Sequence, residues 1–207
     1  MILEKIWTAL RKQPASNFYR YAAILLRNAI GLPNRLHSPD RDVLERVILP
    51  AYARLPGMRR VLFVGSDWYT RHYEKLFPGQ EYWTLAPDPW KQKFGARRHI
   101  VAGLESLDAH FDESHFDLII CNGVFGWGLD QRDDCERAFL ACFRRLKVGG
   151  HFMLGWNDVP EHTPLPLASL GSLARFNPQP LPALGTAHFL ADVQTRHVFD
   201  FYMKNDS

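Results

Sequence analysis

Two apolar strands bracketing one helix constrain this chain more than any other feature. The first strand is Phe116-Asp117-Leu118-Ile119-Ile120-Cys121-Asn122-Gly123. The second lies in Leu146-Lys147-Val148-Gly149-Gly150-His151-Phe152-Met153-Leu154, where a helix end and a glycine pair precede a buried run. Between them, Asp130 to Arg145 carries helical spacing. Runs that are apolar on every residue, without alternation, belong in a parallel sheet covered on both faces. Open sheets of this kind bind ligands beyond the carboxyl ends of their strands.

The rest of the chain extends that pattern. Val61–Val64 is a short buried strand, Gly65-Ser66-Asp67 is a turn, and a helix is expected from there to Phe77. Tyr82–Leu85, Ile100–Ala102, Asp117–Asn122 and His151–Gly155 are further strands, and His197–Lys204 reads as an antiparallel one. The alternation predicts an α/β fold: a doubly wound, mostly parallel sheet with an antiparallel C-terminal strand and an N-terminal helical extension. Residues 1–55 read as a helical cap. There Ile2, Leu3, Ile6 and Leu10 share one helical face, and Phe18, Ala22, Leu25, Leu26 and Ala29 share another. Ser38 is placed to cap a third helix, with Pro39 at its first position and Asp40 and Asp42 in its first turn. Residues 56–207 form the α/β body. It includes a proline-rich stretch, 159–185, which no regular element tolerates and which suits a lid, a binding loop or a linker.

Composition narrows the setting. The cysteines, Cys121, Cys135 and Cys142, are odd in number, and two share one helix, which argues for a reducing, cytoplasmic compartment. No apolar run approaches the ~20 residues of a membrane span, and the start lacks the signature of a signal peptide. Residues 1–36 hold six basic residues (Lys5, Arg11, Lys12, Arg20, Arg27, Arg35) against one acid, Glu4, although the whole chain carries only +3. A basic arm on a near-neutral body is either a solvated helix face or a surface for an acidic substrate, an acidic partner or a membrane. The nine histidines are dispersed without ligand spacing, so no metal is expected.

Four segments carry a resemblance: Val61-Leu62-Phe63-Val64-Gly65; Thr84-Leu85-Ala86-Pro87-Asp88-Pro89; Leu104-Glu105-Ser106-Leu107; and the two strands of the opening paragraph, which are the most specific. Together they resemble the class I methyltransferases that use S-adenosylmethionine, in the small-molecule, type 11-like branch, over about residues 58–158. The resemblance implies a Rossmann-like sheet and a cofactor site made by Gly65, Ser66, Asp67, Asp88, Glu105, Asn122 and Gly123. The motif departs from the family pattern. Asp67 and Tyr69 stand where further glycines are expected, Ala86 replaces the ribose-binding acid, and Gly103 stands where an acid faces the adenine. Each of these residues also has an ordinary structural reading, as a cap or a turn former.

Trp68, Tyr69, Trp127 and Trp156 follow the ends of predicted parallel strands. They are either core residues or the lining of a site for an apolar or planar acceptor, with cation–π contact to a sulfonium. Methyl transfer is a direct displacement, so alignment supplies much of the rate and a base is needed only when the acceptor must lose a proton. Asp158, Glu161 and His162 are the candidates, Asp158 and His162 first. The leading function is thus methyl transfer from S-adenosylmethionine to a small-molecule or lipid-like acceptor. The competing function is a methyltransferase-like scaffold without catalysis. A nicotinamide oxidoreductase is disfavoured because G-x-G-x-x-G is missing, and nucleic acid is disfavoured because no stacking motif of RNA modules appears.

Overall fold

A computed structural model describes residues 15–30 and 32–206. The predicted helical face of Ile2, Leu3, Ile6 and Leu10 lies outside the described residues, as do Lys5, Arg11 and Lys12. The first described element is helix α1, Ala15–Ala29. A second helical run follows as α2, Pro39–Val43, a π-helical turn, Leu44–Ile48, and α3, Leu49–Ala53. The π turn has a cause in the sequence. Pro50 has no N–H and its ring would strike the carbonyl four residues back. The helix widens just before it, so that the Leu49 N–H donates to the Leu44 carbonyl, five residues back. Ser38 holds an extended N-cap backbone, but its side chain makes no capping bond; Pro39 alone starts the helix.

The sheet contains β1 (Arg60–Val64), β2 (Glu81–Ala86), β3 (Arg98–Val101), β4 (Phe116–Asn122), β5 (Leu146–Asn157), β6 (Asn177–Pro178), β7 (His188–Asp192) and β8 (His197–Met203). Its order is β3-β2-β1-β4-β5-β8-β6, with β7 also on β8. The first five strands run parallel, and β8 is antiparallel to β5. The expected sheet and its antiparallel final strand are therefore present. β5 begins earlier than the sequence suggests: Leu146 already pairs with Phe116, and the Gly149-Gly150 pair lies inside the strand at a break in register.

The crossovers differ from expectation. Only α4, Arg132–Arg145, is a full α-helical crossover. The helix expected up to Phe77 is a 3₁₀ turn, Arg71–Leu76, and similar turns, Pro89–Phe94 and Leu104–Ala109, serve the next two connections. Pro78 disfavours helical geometry at Phe77, which sits at φ −121°, ψ 61°.

Alternation along the strands sends side chains to both faces. Leu62, Val64, Ile119 and Phe152 pack with Ala138, Phe139 and Cys142 of α4. Val61, Phe63, Leu118 and Met153 pack with Leu44, Ile48, Leu49 and Tyr52. Residues 39–53 thus share the core of the sheet. By contrast, α1 buries Ile24 but leaves Ala22, Leu25 and Leu26 of the predicted face exposed.

Candidate active site

β1 and β4 are neighbours, and their connections leave in opposite directions, to β2 and to β5. This is the topological switch point, where open α/β sheets form a ligand crevice. Two glycines line it. Gly65 ends β1 at φ +98°, and Gly123 follows β4 at φ +65°. A Cβ on Gly65 would lie 2.4 Å from the backbone oxygen of Asn122. A Cβ on Gly123 would meet only Arg41 Nη2, at 3.9 Å, so the space above it is open.

The loop after Gly65 satisfies itself in part. The Asp67 N–H donates to Thr70 Oγ1 at 2.9 Å, Asp67 Oδ1 accepts from the Trp68 N–H at 2.7 Å, and Lys91 Nζ pairs with Asp67 Oδ2 at 2.9 Å. Ser66 is fully buried, and its hydroxyl has no partner among the described residues. Trp68 and Tyr69 meet edge to face at 5.2 Å.

Two residues that sequence reasoning missed complete the crevice. Arg41, in the first turn of α2, is 7% exposed. Its guanidinium sits 4.6 Å over the Tyr69 ring, with Nη2 3.3 Å from the Tyr69 hydroxyl. Burial works against its charge, but Tyr69, Tyr73 and Asp40 outweigh burial and hold it ionised. Nε lies 3.4 Å from Asp40 Oδ2 as an ion pair, and neither Nε nor Nη1 makes a hydrogen bond among the described residues. His197 starts β8, and its Nε2 lies 3.2 Å from Asn122 Oδ1. Burial, with Arg41 adding to it, pushes the His197 pKa down to about 4 against Asp40 and Asp192. The ring is therefore neutral at pH 7 and donates from Nε2 to the Asn122 carbonyl oxygen. Gly155 makes room for this: a Cβ there would lie 1.9 Å from Asn122 Oδ1. Asn122 Nδ2 is left buried without a partner.

The remaining expected residues lie as follows. Asp88 is exposed beyond β2 and accepts from the Trp90 N–H at 2.9 Å. Glu105 is exposed and its carboxylate folds over Gly103, where a Cβ would meet Oε1 at 2.1 Å. Trp127 is 57% exposed, stacks on His162 at 3.9 Å and donates to Asn157 Oδ1 at 3.2 Å. His162 Nδ1 is 3.2 Å from the Gly126 carbonyl oxygen, and Asp158 pairs with Arg196 at 2.6 Å, so both candidate bases already have partners. Trp156 is corrected. It is core, packed edge-on against Phe125, with its N–H donating to the buried Asp200 at 2.7 Å. It is not available to a substrate. Cys121 is fully buried, and burial pushes its thiol up to about 12, which makes it inert. Among the described residues no cluster could hold a metal ion.

Residues 64–154 match the family model for the methyltransferase domain. Over that stretch, a little under half of its length, the chain is similar to methyltransferase domains. S-adenosylmethionine is the methyl donor of this class. By sequence, no curated protein matches the chain. Solved structures do. The N-methyltransferase NodS from Bradyrhizobium japonicum WM9 is 14% identical, over 77% of this chain and 93% of that one, with a TM-score of 0.59. A TehB-like S-adenosylmethionine-dependent methyltransferase from Corynebacterium glutamicum is 17% identical, over 93% and 100%, with a TM-score of 0.57. The 1,6-didemethyltoxoflavin-N1-methyltransferase of Burkholderia thailandensis, solved with S-adenosylhomocysteine, is 20% identical over 91% and 90%, with a TM-score of 0.50. These likenesses establish the methyltransferase domain's fold.

The crevice also fits the cofactor. A carboxylate finds unsatisfied buried donors on Arg41, Ser66 and Asn122. The open space over Gly123 admits a ligand chain, and Tyr69 offers an aromatic face beside it.

Proposed function

We propose that the chain transfers a methyl group from S-adenosylmethionine to a small-molecule or lipid-like acceptor at the β1–β4 switch point. One observation carries the reading: buried donors on Arg41, Ser66 and Asn122 that make no hydrogen bond among the described residues lie at the strand ends marked by two glycines at positive φ, where ligands of open α/β sheets bind. The bound donor supplies an electrophilic methyl carbon: the acceptor lone pair forms the new bond, and the C–S electron pair stays on sulfur.

The chain's own work is binding and alignment. Arg41 holds the amino-acid carboxylate, and the carboxylate restores the hydrogen bonds that its guanidinium lacks. Asp88, after β2, reaches the ribose in place of the family's acid. Gly65 keeps the two strand ends close, and His197 fixes the Asn122 amide so that Nδ2 faces the crevice. Holding the acceptor in line supplies much of the rate. An acceptor that must lose a proton passes it to Asp158 once Arg196 releases it, to His162 Nε2 while Nδ1–H donates to the Gly126 carbonyl, or directly to water. Three free, buried cysteines support a reducing, cytoplasmic setting. No helix among the described residues is long and apolar enough to cross a membrane.

The test is Arg41→Met, which keeps the apolar stem and removes the charge. Affinity for S-adenosylhomocysteine should fall roughly ten- to a hundredfold, with the circular dichroism spectrum unchanged. Full affinity in the folded variant would remove Arg41 from the site.

A further inference from the structure

We infer that the cavity between α1 and the loop after β1 is an oxyanion site for the acceptor, taking a small planar molecule that bears one carboxylate or phosphate. The inference rests on the methyltransferase reading and deepens it. The cavity measures about 280 Å³ and is lined by Arg27, Pro33, Asn34, Arg35, His37 and Trp68. That volume lies just below the range of ligand pockets, roughly 300–1,000 Å³, and suits a single ring with one substituent. Trp68 stands three residues beyond Gly65, so one loop lines both the cavity and the cofactor crevice. Tyr69 links the two: it meets Trp68 edge to face and carries Arg41 on its ring.

The wall is cationic. Arg27 makes no ion pair among the described residues, and its Nη2 donates to the Pro33 carbonyl at 2.8 Å, which fixes the guanidinium at the rim. Arg35 lies 3.2 Å from Glu45. That carboxylate also accepts from the Tyr73 hydroxyl at 3.1 Å and lies 3.2 Å from His72 Nε2, so it only partly neutralises Arg35. Asn34 is buried and held by donation to the Ile24 carbonyl and to Asn28 Oδ1, which makes the floor rigid. Two guanidinium groups, one lacking an acid, match an oxyanion in charge and in fork geometry. The indole of Trp68 adds an apolar stretch to the wall.

The test is calorimetry on the full chain, saturated with S-adenosylhomocysteine, using phenyl phosphate, benzoate and neutral benzamide as probes. The anions should bind at least tenfold more tightly than benzamide, and more weakly as salt rises. Arg27→Gln and Arg35→Gln should each weaken anion binding roughly tenfold or more, Arg27→Lys less, and none should change affinity for S-adenosylhomocysteine. A parallel arm uses phosphatidylglycerol vesicles: binding there but not to phenyl phosphate assigns the oxyanion to a lipid headgroup. Equal binding of benzamide and benzoate, or anion binding unmoved by both glutamine variants, overturns the proposal. Failure of S-adenosylhomocysteine to bind while the anions still bind overturns the methyltransferase reading and leaves the anion site standing.

Discussion

Gly65→Ala tests how the crevice is built. The substitution places a Cβ 2.4 Å from the backbone oxygen of Asn122 and 3.0 Å from Val124 Cγ2, at φ +98°. Neither the strand end nor its carbonyl can swing away as a flexible side chain would. Left-handed backbone costs an L-residue about 1–2 kcal/mol, and overpacking a tight site costs about 1–3 kcal/mol more. The sum, roughly 2–5 kcal/mol, is a large share of a typical stability of about 5–15 kcal/mol. For a chain of this size each kcal/mol lowers Tm by about 2–4 °C, so Tm should fall by roughly 4–20 °C in a thermal melt followed by circular dichroism. A larger residue such as Leu would damage the fold as well as the site, so loss of cofactor binding in that variant would not be diagnostic. An alanine variant that melts within about 1 °C of the parent would refute the close approach of β1 to β4.

Two further outcomes follow from buried groups. His197 has a folded pKa of about 4, depressed by burial, against about 6.5 in an unfolded chain; the folded state therefore binds the proton less well. Its stability contribution is complete above about pH 6.5 and is lost as pH falls towards 4, on the order of a few kcal/mol in total. Urea titrations of His197→Gln against the parent should show that the steep pH dependence in this window is gone; parallel curves would contradict the assignment. Trp156→Phe leaves Asp200 Oδ2 without its 2.7 Å donor and should cost about 1–3 kcal/mol of stability without changing affinity for S-adenosylhomocysteine. A stable variant with impaired acceptor turnover would return Trp156 to the acceptor site.

Much of the fold was legible because the runs Val61–Val64 and Leu118–Cys121 are apolar on every residue, a pattern that fits a sheet covered on both faces. The two faces of Val61–Val64 and of Leu118–Cys121 could be read directly from alternation. The crossovers were misread for a local reason: Pro78 and the brackets Pro89 and Gly95 cut the links short, and short links close as 3₁₀ turns. The outward-facing Leu25 and Leu26 on α1 show that helical periodicity identifies a face without saying what covers it. The positions of Gly65, Asn122 and Gly123 at the ends of β1 and β4 were legible from their place after apolar runs. Arg41 and His197 were not, because the topology brings Arg41 to Gly123 and His197 to Asn122 across long stretches of sequence, 75 residues in the case of His197. Trp156 was misplaced because its side chain turns to a sheet face and not along the strand axis, which spacing alone does not reveal.

The central claim is that the switch point at Gly65 and Gly123 binds S-adenosylmethionine despite its altered motif. Isothermal titration of the full chain with S-adenosylhomocysteine, and separately with NAD, tests it most directly. The account predicts one S-adenosylhomocysteine bound per chain and no heat from NAD. An absence of S-adenosylhomocysteine binding at millimolar concentration, or equal binding of NAD, would contradict it.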